Sequence, residues 1–403
     1  MKGSQYFRQR LLKGVATIGI VGLLAGVLPP AIAQQIDSAI IAQSATLAEA
    51  AKLDEQANQL YKQRRYDAAI PLAERSLAIY KQVLGADHQY IALSLNNLAE
   101  LYWVQGRYGE VEPLYRQALE IRQRHLGDDH PDTAVSLSNL AATYNLQGRY
   151  GDAEPLLLQV VEIHQRRFGK RHPHTAIALA ALGDLYRAQG HNQKAEPLFL
   201  QALEIHQRRL GADHPHTATS LNNLAGLYES QGRYSEAEPL YLQALEIYQR
   251  QLGDDHPHTA TALNNLAGLY ELQARYEEAE SFLIKALEIR QQQLGDKHPD
   301  TAISLATLAG LYESQGRYSE AEPLYLQALE IHQNRLGADH PHTAIALNNL
   351  AGLYRVQARD REAESLYLKA LQIFEQRFGP DHPHAVKVRN SLDRLREQQS
   401  VTE

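Results

Sequence analysis

The 403-residue sequence is 44% hydrophobic and 22% charged, with a formal net charge of -7. That balance offers no basic face for phosphates and argues against a nucleic-acid partner. The absence of cysteine excludes disulfides, thiolate metal sites, iron–sulfur clusters and cysteine nucleophiles. The first predicted element spans residues 1–33. Lys2, Arg8, Arg10 and Lys13 form a basic head, residues 14–28 (GVATIGIVGLLAGVL) are apolar, and Ala31 and Ala33 supply the small-x-small pattern that signal peptidase cuts. The run is shorter than the roughly 20 residues of a spanning helix, so it reads as a cleaved bacterial-type signal and not as an anchor. Export to the periplasm or the exterior is the expected location, with no membrane contact after cleavage. Residues 34–48 read as a linker and the start of a helix.

From there the chain keeps one period. Gly85, Gly127, Gly169, Gly211, Gly253, Gly295, Gly337 and Gly379 are each 42 apart, and so are His88, His130, His172, His214, His256, His298, His340 and His382. The 23 letters of Ala225–Ile247 return unchanged at Ala309–Ile331. Such a clock means eight copies of one structural unit, predicted over 49–382, and leaves no room for a separate catalytic domain. In the unit 217–258, Leu221, Leu224, Leu227 and Tyr228 fall at helical spacing, as do Ala237, Leu240, Tyr241, Ala244, Leu245 and Tyr248. Two helices per unit follow: A at about 217–231 and B at about 235–252. Gly232 is the expected terminator of A, Ser235 with Glu238 the expected capping box of B, and Pro239 falls in its expected first turn. Gly253 closes B, and Asp255-His256-Pro257 opens the next A. Residues 383–403 read as a polar capping helix.

The segments LNNLAGLY (221–228), QGRYSEAEPLY (231–241), QALEI (243–247) and LGDDHP (252–257) resemble the tetratricopeptide repeat in its 42-residue, kinesin light chain-like form. The resemblance implies an all-α, right-handed superhelical solenoid of antiparallel helix pairs that binds peptide segments in a concave groove. The sequence lacks the long heptad segment by which a light chain joins its motor, so no microtubule motor is expected as a partner.

Thirteen of the 18 histidines lie in the inter-unit loops, and HPH recurs at 172, 214, 256, 340 and 382. A ligand must sit about 2 Å from its metal, whereas equivalent loops are two helix widths apart at roughly 8–10 Å each. The loops therefore read as caps of helix A, with a metal array as the less favoured alternative, and no cofactor is expected. Arginines at the ends of B helices face glutamates at their starts, which compensates the helix dipole. No catalytic signature is present, so no enzyme is expected.

The candidate site is a row of amides in helix A. Asn96-Asn97, Asn222-Asn223, Asn264-Asn265 and Asn348-Asn349 share one register with Asn139. Asparagine is a poor mid-helix residue, and an amide can both donate to and accept from a peptide backbone. Under the resemblance these positions look into the groove. Gly226, Gly268 and Gly352 would leave room for a ligand backbone, and Glu229, Glu271 and Arg355 lie one turn on. The expected function is a non-catalytic scaffold or adaptor binding a protein or peptide, with a structural spacer of an envelope complex as the alternative. One outcome is checked directly: intact-mass measurement of chain recovered from the exporting cell should give a start at Gln34. A mass that retains residues 1–33 would show an anchor instead.

Overall fold

The computed structural model describes residues 30–402, with side chains from 43 to 398. Of the segment read as a signal, residues 1–33, positions 1–29 lie outside the described residues. Among these there are seventeen helices and no strand: α1 (Pro30–Lys62), α2 (Tyr66–Leu84), α3 (Gln89–Val104), α4 (Tyr108–Leu126), α5 (Pro131–Leu146), α6 (Tyr150–Phe168), α7 (Pro173–Ala188), α8 (Asn192–Leu210), α9 (Pro215–Ser230), α10 (Tyr234–Leu252), α11 (Pro257–Leu272), α12 (Tyr276–Leu294), α13 (Pro299–Ser314), α14 (Tyr318–Leu336), α15 (Pro341–Val356), α16 (Asp360–Phe378) and α17 (Pro383–Thr402). Odd-numbered helices are the A helices and even-numbered ones the B helices. The chain divides into two compact bodies, one ending at Leu101 and the other starting at Tyr102.

In the first body α1 packs on α2 around Ala50, Leu53, Ala57, Ala69, Ala73 and Leu77, all buried. Ser76 Oγ donates to the Ala50 carbonyl at 3.0 Å, and the Tyr61 hydroxyl donates to Glu100 at 2.8 Å.

In the second body each A helix packs on its own B helix, and each B helix packs on the next A. Alanines at the crossings (Ala218, Ala225, Ala237 and Ala244 in one repeat) are fully buried and let the helices approach closely. Successive A helices also touch one another, from α7 to α15, whereas successive B helices meet less. The A helices are therefore the inner layer of a curved array.

The connectors explain why the period holds. In the inter-repeat loops from His130 onward, histidine opens helix A and proline takes its first position, as at His214 and His256. The His214 Nδ1 accepts the His216 N–H at 3.1 Å, and the same bond recurs at His130, His172, His256, His298, His340 and His382. The Thr217 hydroxyl then donates back to the Gly211 carbonyl at 2.8 Å. A backbone donor that would be orphaned at the helix start is satisfied by the imidazole.

At the other corner, between A and B, the structure departs from the sequence reading. Helix B starts at Tyr234, its N-cap is Arg233, and no side chain makes a capping bond. Ser235 is thus already inside the helix, and Pro239 lies inside it beyond the first turn. What holds this corner is the arginine. Arg233 makes two bonds to Glu236, at 2.8 and 2.7 Å, and its guanidinium lies 3.8 Å over the Tyr228 ring. It also reaches Glu196 of the preceding B helix at 3.1 Å. Arg275, Arg317 and Arg359 repeat the arrangement, with Glu238, Glu280 and Glu322 as their partners one repeat back. Glu238, expected in a capping box, is in fact half of a joint between repeats.

The second body also curls far enough to meet itself. Tyr108 is buried with its ring 5.3 Å from Phe378, and His382 Nε2 donates to the Leu146 carbonyl at 3.0 Å. Gly106 lies against the His340-Pro341 loop so closely that an added Cβ would stand 2.5 Å from Pro341 Cδ. Gly232 occupies the same corner with a similar positive φ and nothing within 4 Å of its Cβ position. Gly106→Ala and Gly232→Ala share the left-handed cost of roughly 1 kcal/mol. Only Gly106→Ala adds overpacking of roughly 1–3 kcal/mol. Urea midpoints should therefore fall further for Gly106→Ala, and equal falls would show that the return contact carries no stability.

Candidate functional site

The inner face of helix A sorts the paired amides into two kinds. In α9, Thr219 and Ser230 are exposed, and Asn223 and Gly226 between them are half-buried on the same stripe. Asn222, one residue earlier and so about 100° around the helix, turns toward α10. It sits against the Tyr248 hydroxyl, which also bonds Thr219 at 2.9 Å. In the next repeat Asn264, with its amide oxygen toward the guanidinium, lies 3.0 and 3.1 Å from the two Nη atoms of Arg290. Arg290 is buried and donates from Nη1 to Ser304 Oγ at 2.7 Å and to the Asp300 carbonyl at 3.1 Å. Desolvation lowers its pKa. In these two repeats the first asparagine of the pair thus belongs to the A–B interface. Asn96 is likewise buried, and Asn348 is half-buried with its Nδ2 3.5 Å from Asn349 Oδ1.

The second asparagine is different. Asn97 is exposed, and Asn139, Asn223, Asn265 and Asn349 are half-buried. Asn223 and Asn265, in adjacent repeats of the second body, make no side-chain hydrogen bond to any described residue. Their neighbours on the stripe are Thr219 and Thr261, whereas the equivalent positions toward either end are Val135, Ile177 and Ile345, all exposed. The face therefore has a polar centre and apolar flanks.

Glycines and glutamates at the end of helix A are more occupied than the sequence suggests. An added Cβ at Gly226 would lie 3.3 Å from the Tyr241 hydroxyl, and that hydroxyl donates to Glu229 at 2.8 Å. Tyr325 and Glu313 repeat the bond at 2.9 Å beside Gly310. Burial raises the carboxyl pKa of both Glu229 and Glu313. Gly352 has Tyr367 and Glu313 oxygens at 3.9 Å. Gly268 is the exception. Leu283 stands where the neighbouring repeats carry Tyr241 and Tyr325, nothing lies within 4 Å of the Cβ position, and Glu271 instead accepts from Ser314 Oγ at 2.9 Å. Arg355 Nε is buried without a partner. The open spot at Gly268 and the unpaired amides at 223 and 265 thus fall together.

Two features with clear roles were not singled out from sequence: the corner arginines and the return contact. The first left a signal, since G-R-Y recurs with glutamate three residues after the arginine. Among the described residues no three His, Asp or Glu side chains converge as a metal site, and no helix is long and apolar enough to cross a membrane.

Comparison with known proteins places these observations. The tetratricopeptide repeat model matches over residues 48–124, 90–166, 132–208, 192–250, 217–283, 258–334, 308–376 and 342–399. No curated protein matches the chain. Among solved structures it is similar to the nearly identical TPR-like repeats of a kinesin light chain from Podospora anserina, at 30% identity. That match covers 51% of this chain and 97% of the other, with a TM-score of 0.42. BtubC of P. vanneervenii is 24% identical over 58% of this chain and 91% of its own, with a TM-score of 0.45. The apo form of RapI shares the fold at 17% identity, over 70% of this chain and 97% of its own, with a TM-score of 0.51.

The histidines near the end of the array set an acid limit on this face. His332 and His340 are buried, and burial followed by the neighbouring imidazole of His342 lowers them to about 4 and about 3. The folded state keeps them neutral, while the unfolded chain takes up protons from its ordinary value of 6.5. Their contribution is fully present above pH 6.5 and is lost as pH falls toward 4, because the unfolded state then binds more protons. Urea midpoints measured across that interval should fall less steeply for His332→Asn than for the parent. Equal slopes would show that these imidazoles do not drive acid loss.

Proposed function

The chain belongs to the tetratricopeptide repeat family, and we propose that it is a non-catalytic scaffold holding an extended segment of a partner protein along the inner face of its A helices. The observation that carries this reading is the pair Asn223 and Asn265, whose amides lie on adjacent repeats without a partner among the described residues. Each amide can donate to one backbone group and accept from another, so two in succession suit an extended peptide irrespective of its sequence. The exposed Val135, Ile177 and Ile345 support apolar side chains at the two ends of such a segment, and the space at Gly268 supports close backbone approach. The segment read as a signal supports export, with a partner in the periplasm or outside the cell.

The split of the amide pairs gives the test. Asn223→Ala with Asn265→Ala should weaken partner binding more than tenfold, since each hydrogen bond lost is worth roughly 0.5–1.5 kcal/mol. Folding should be preserved, because alanine is the better helix former. Asn222→Ala with Asn264→Ala should do the reverse, lowering the melting temperature while leaving binding by the folded molecule intact. Recovery of crosslinked partners from the chain's own compartment, at equal helicity by circular dichroism, measures both. Full recovery by the Asn223/Asn265 variant would refute peptide capture here and favour a spacer.

A further inference from the structure

The second body makes one contact with itself, and the sequences on both sides of it recur without partners. In the contact, the corner Gln105-Gly106-Arg107-Tyr108 lies across two successive loops six repeats on, with Gly106 against His340-Pro341 and Tyr108 against Phe378. Tyr108 is 5% exposed, its ring is 5.3 Å from Phe378, and Phe378 stacks on His382 at 4.3 Å. One repeat further, Gly148 faces Pro383. Burial follows the contact and not the sequence: His340 and His382 are 4% and 7% exposed, whereas His172, His214 and His256 of the same His-Pro-His loops are half-exposed.

The corner phrase is written again, letter for letter, at 231–234 and 315–318. There the glycines are exposed, the tyrosines only half-buried, and nothing lies near either glycine's Cβ position. The seat is duplicated too. Phe168 stacks on His172 at 4.9 Å as Phe378 does on His382, yet it is 38% exposed and lines an open cavity of about 540 Å³ with Lys170, Arg171, Pro173 and Arg209.

We propose that the Phe168–Pro173 loop receives the Gln-Gly-Arg-Tyr corner of a second copy of this chain, so that copies join head to tail. The tyrosine fills the space over Phe168. The bare glycine lets the corner close on the preceding loop, His130-Pro131, as Gly106 does on His340-Pro341 within the chain. Charge suits the pairing: Lys170, Arg171 and Arg209 surround the seat, and Glu236 or Glu320 follows two residues after the incoming tyrosine. Because the two surfaces differ, every pair still has a free seat on one copy and free corners, and association is open-ended. An interface of this few residues is weak, so assembly depends on concentration.

Sedimentation velocity of the full chain over a concentration series is the experiment. The average mass should rise through dimers to longer species, and a chain that stays monomeric at every concentration overturns the proposal. Phe168→Ala should abolish the rise, and so should Gly232→Asn combined with Gly316→Asn. Asparagine tolerates the left-handed corner, and Ala274 and Ala358 already occupy it. Mixing the two variants should give dimers and trimers and nothing larger, since each Phe168→Ala chain offers two intact corners and each partner only one intact seat. Association that survives either variant overturns the proposal by placing it on another surface. A readout independent of these changes comes from the absence of native cysteine. Chains carrying Phe168→Cys, mixed under oxidation with chains carrying Tyr234→Cys and Tyr318→Cys, should form a mixed disulfide dimer. A Leu242→Cys control on the outer helices should not, and no excess over that control counts against the proposal.

Discussion

The structure depends on one arginine per corner. Each of Arg233, Arg275, Arg317 and Arg359 is the N-cap of its own B helix, lies over the last tyrosine of its A helix and reaches a glutamate of the preceding B helix. One planar cation thereby fixes the angle within a repeat and the step to its neighbour. The tyrosine shares the same carboxylate: Tyr270 donates to Glu238 at 3.1 Å and Tyr312 to Glu280 at 2.9 Å. A lone exposed ion pair contributes little, but a fork that is stacked on one side and bonded to two carboxylates has little freedom left to lose. Where His191 replaces the arginine, the joint is made otherwise, with Tyr186 donating to Glu154 at 2.7 Å and Lys194 lying 5.0 Å over the Tyr186 ring.

Because nearly all joints are alike, a similar small rotation is applied at each step, and the array of the second body comes round on itself. Near-identical repeats have a consequence that varied ones would not. Any surface able to meet another repeat exists in several copies, and the chain's own length decides which of them are satisfied. The same His-Pro-His loop is buried at His340 and half-exposed at His214 for no reason that lies in its own letters. The inner face escapes this uniformity through single changes, such as Leu283 in place of tyrosine beside Gly268, and these localise the candidate site.

The period of 42 made the helix count and the pairing of A with B legible, because eight markers without slippage allow only one kind of array. The histidine caps were legible as well, through the proline that follows every one from His130 to His382. The start of helix B was misread: Ser235 matches a capping box by spacing, but the arginine two residues earlier already provides the helix start, and the hydroxyl has no role left there. The paired asparagines could not be told apart from sequence, since neighbours in a helix differ by about 100° and either could have faced the groove. Gly226 read as space for a ligand because the Tyr241 hydroxyl that fills that space comes from another helix. The contact between Tyr108 and Phe378 was illegible for a different reason: in a periodic sequence every corner looks equally able to meet every loop.

The central claim is that the corner arginine couples neighbouring repeats, and a double-mutant cycle between Arg275 and Glu238 tests it most directly. The exposed pair Arg208 and Glu204 within α8, at 3.0 Å, serves as the reference in the same chain. Urea unfolding of the single and double alanine variants gives a coupling energy for each pair. The account predicts a clearly larger coupling for Arg275–Glu238 than for Arg208–Glu204, with protection from hydrogen exchange lost in both α10 and α12 when Arg275 is removed. Equal couplings, or protection lost in α12 alone, would contradict it.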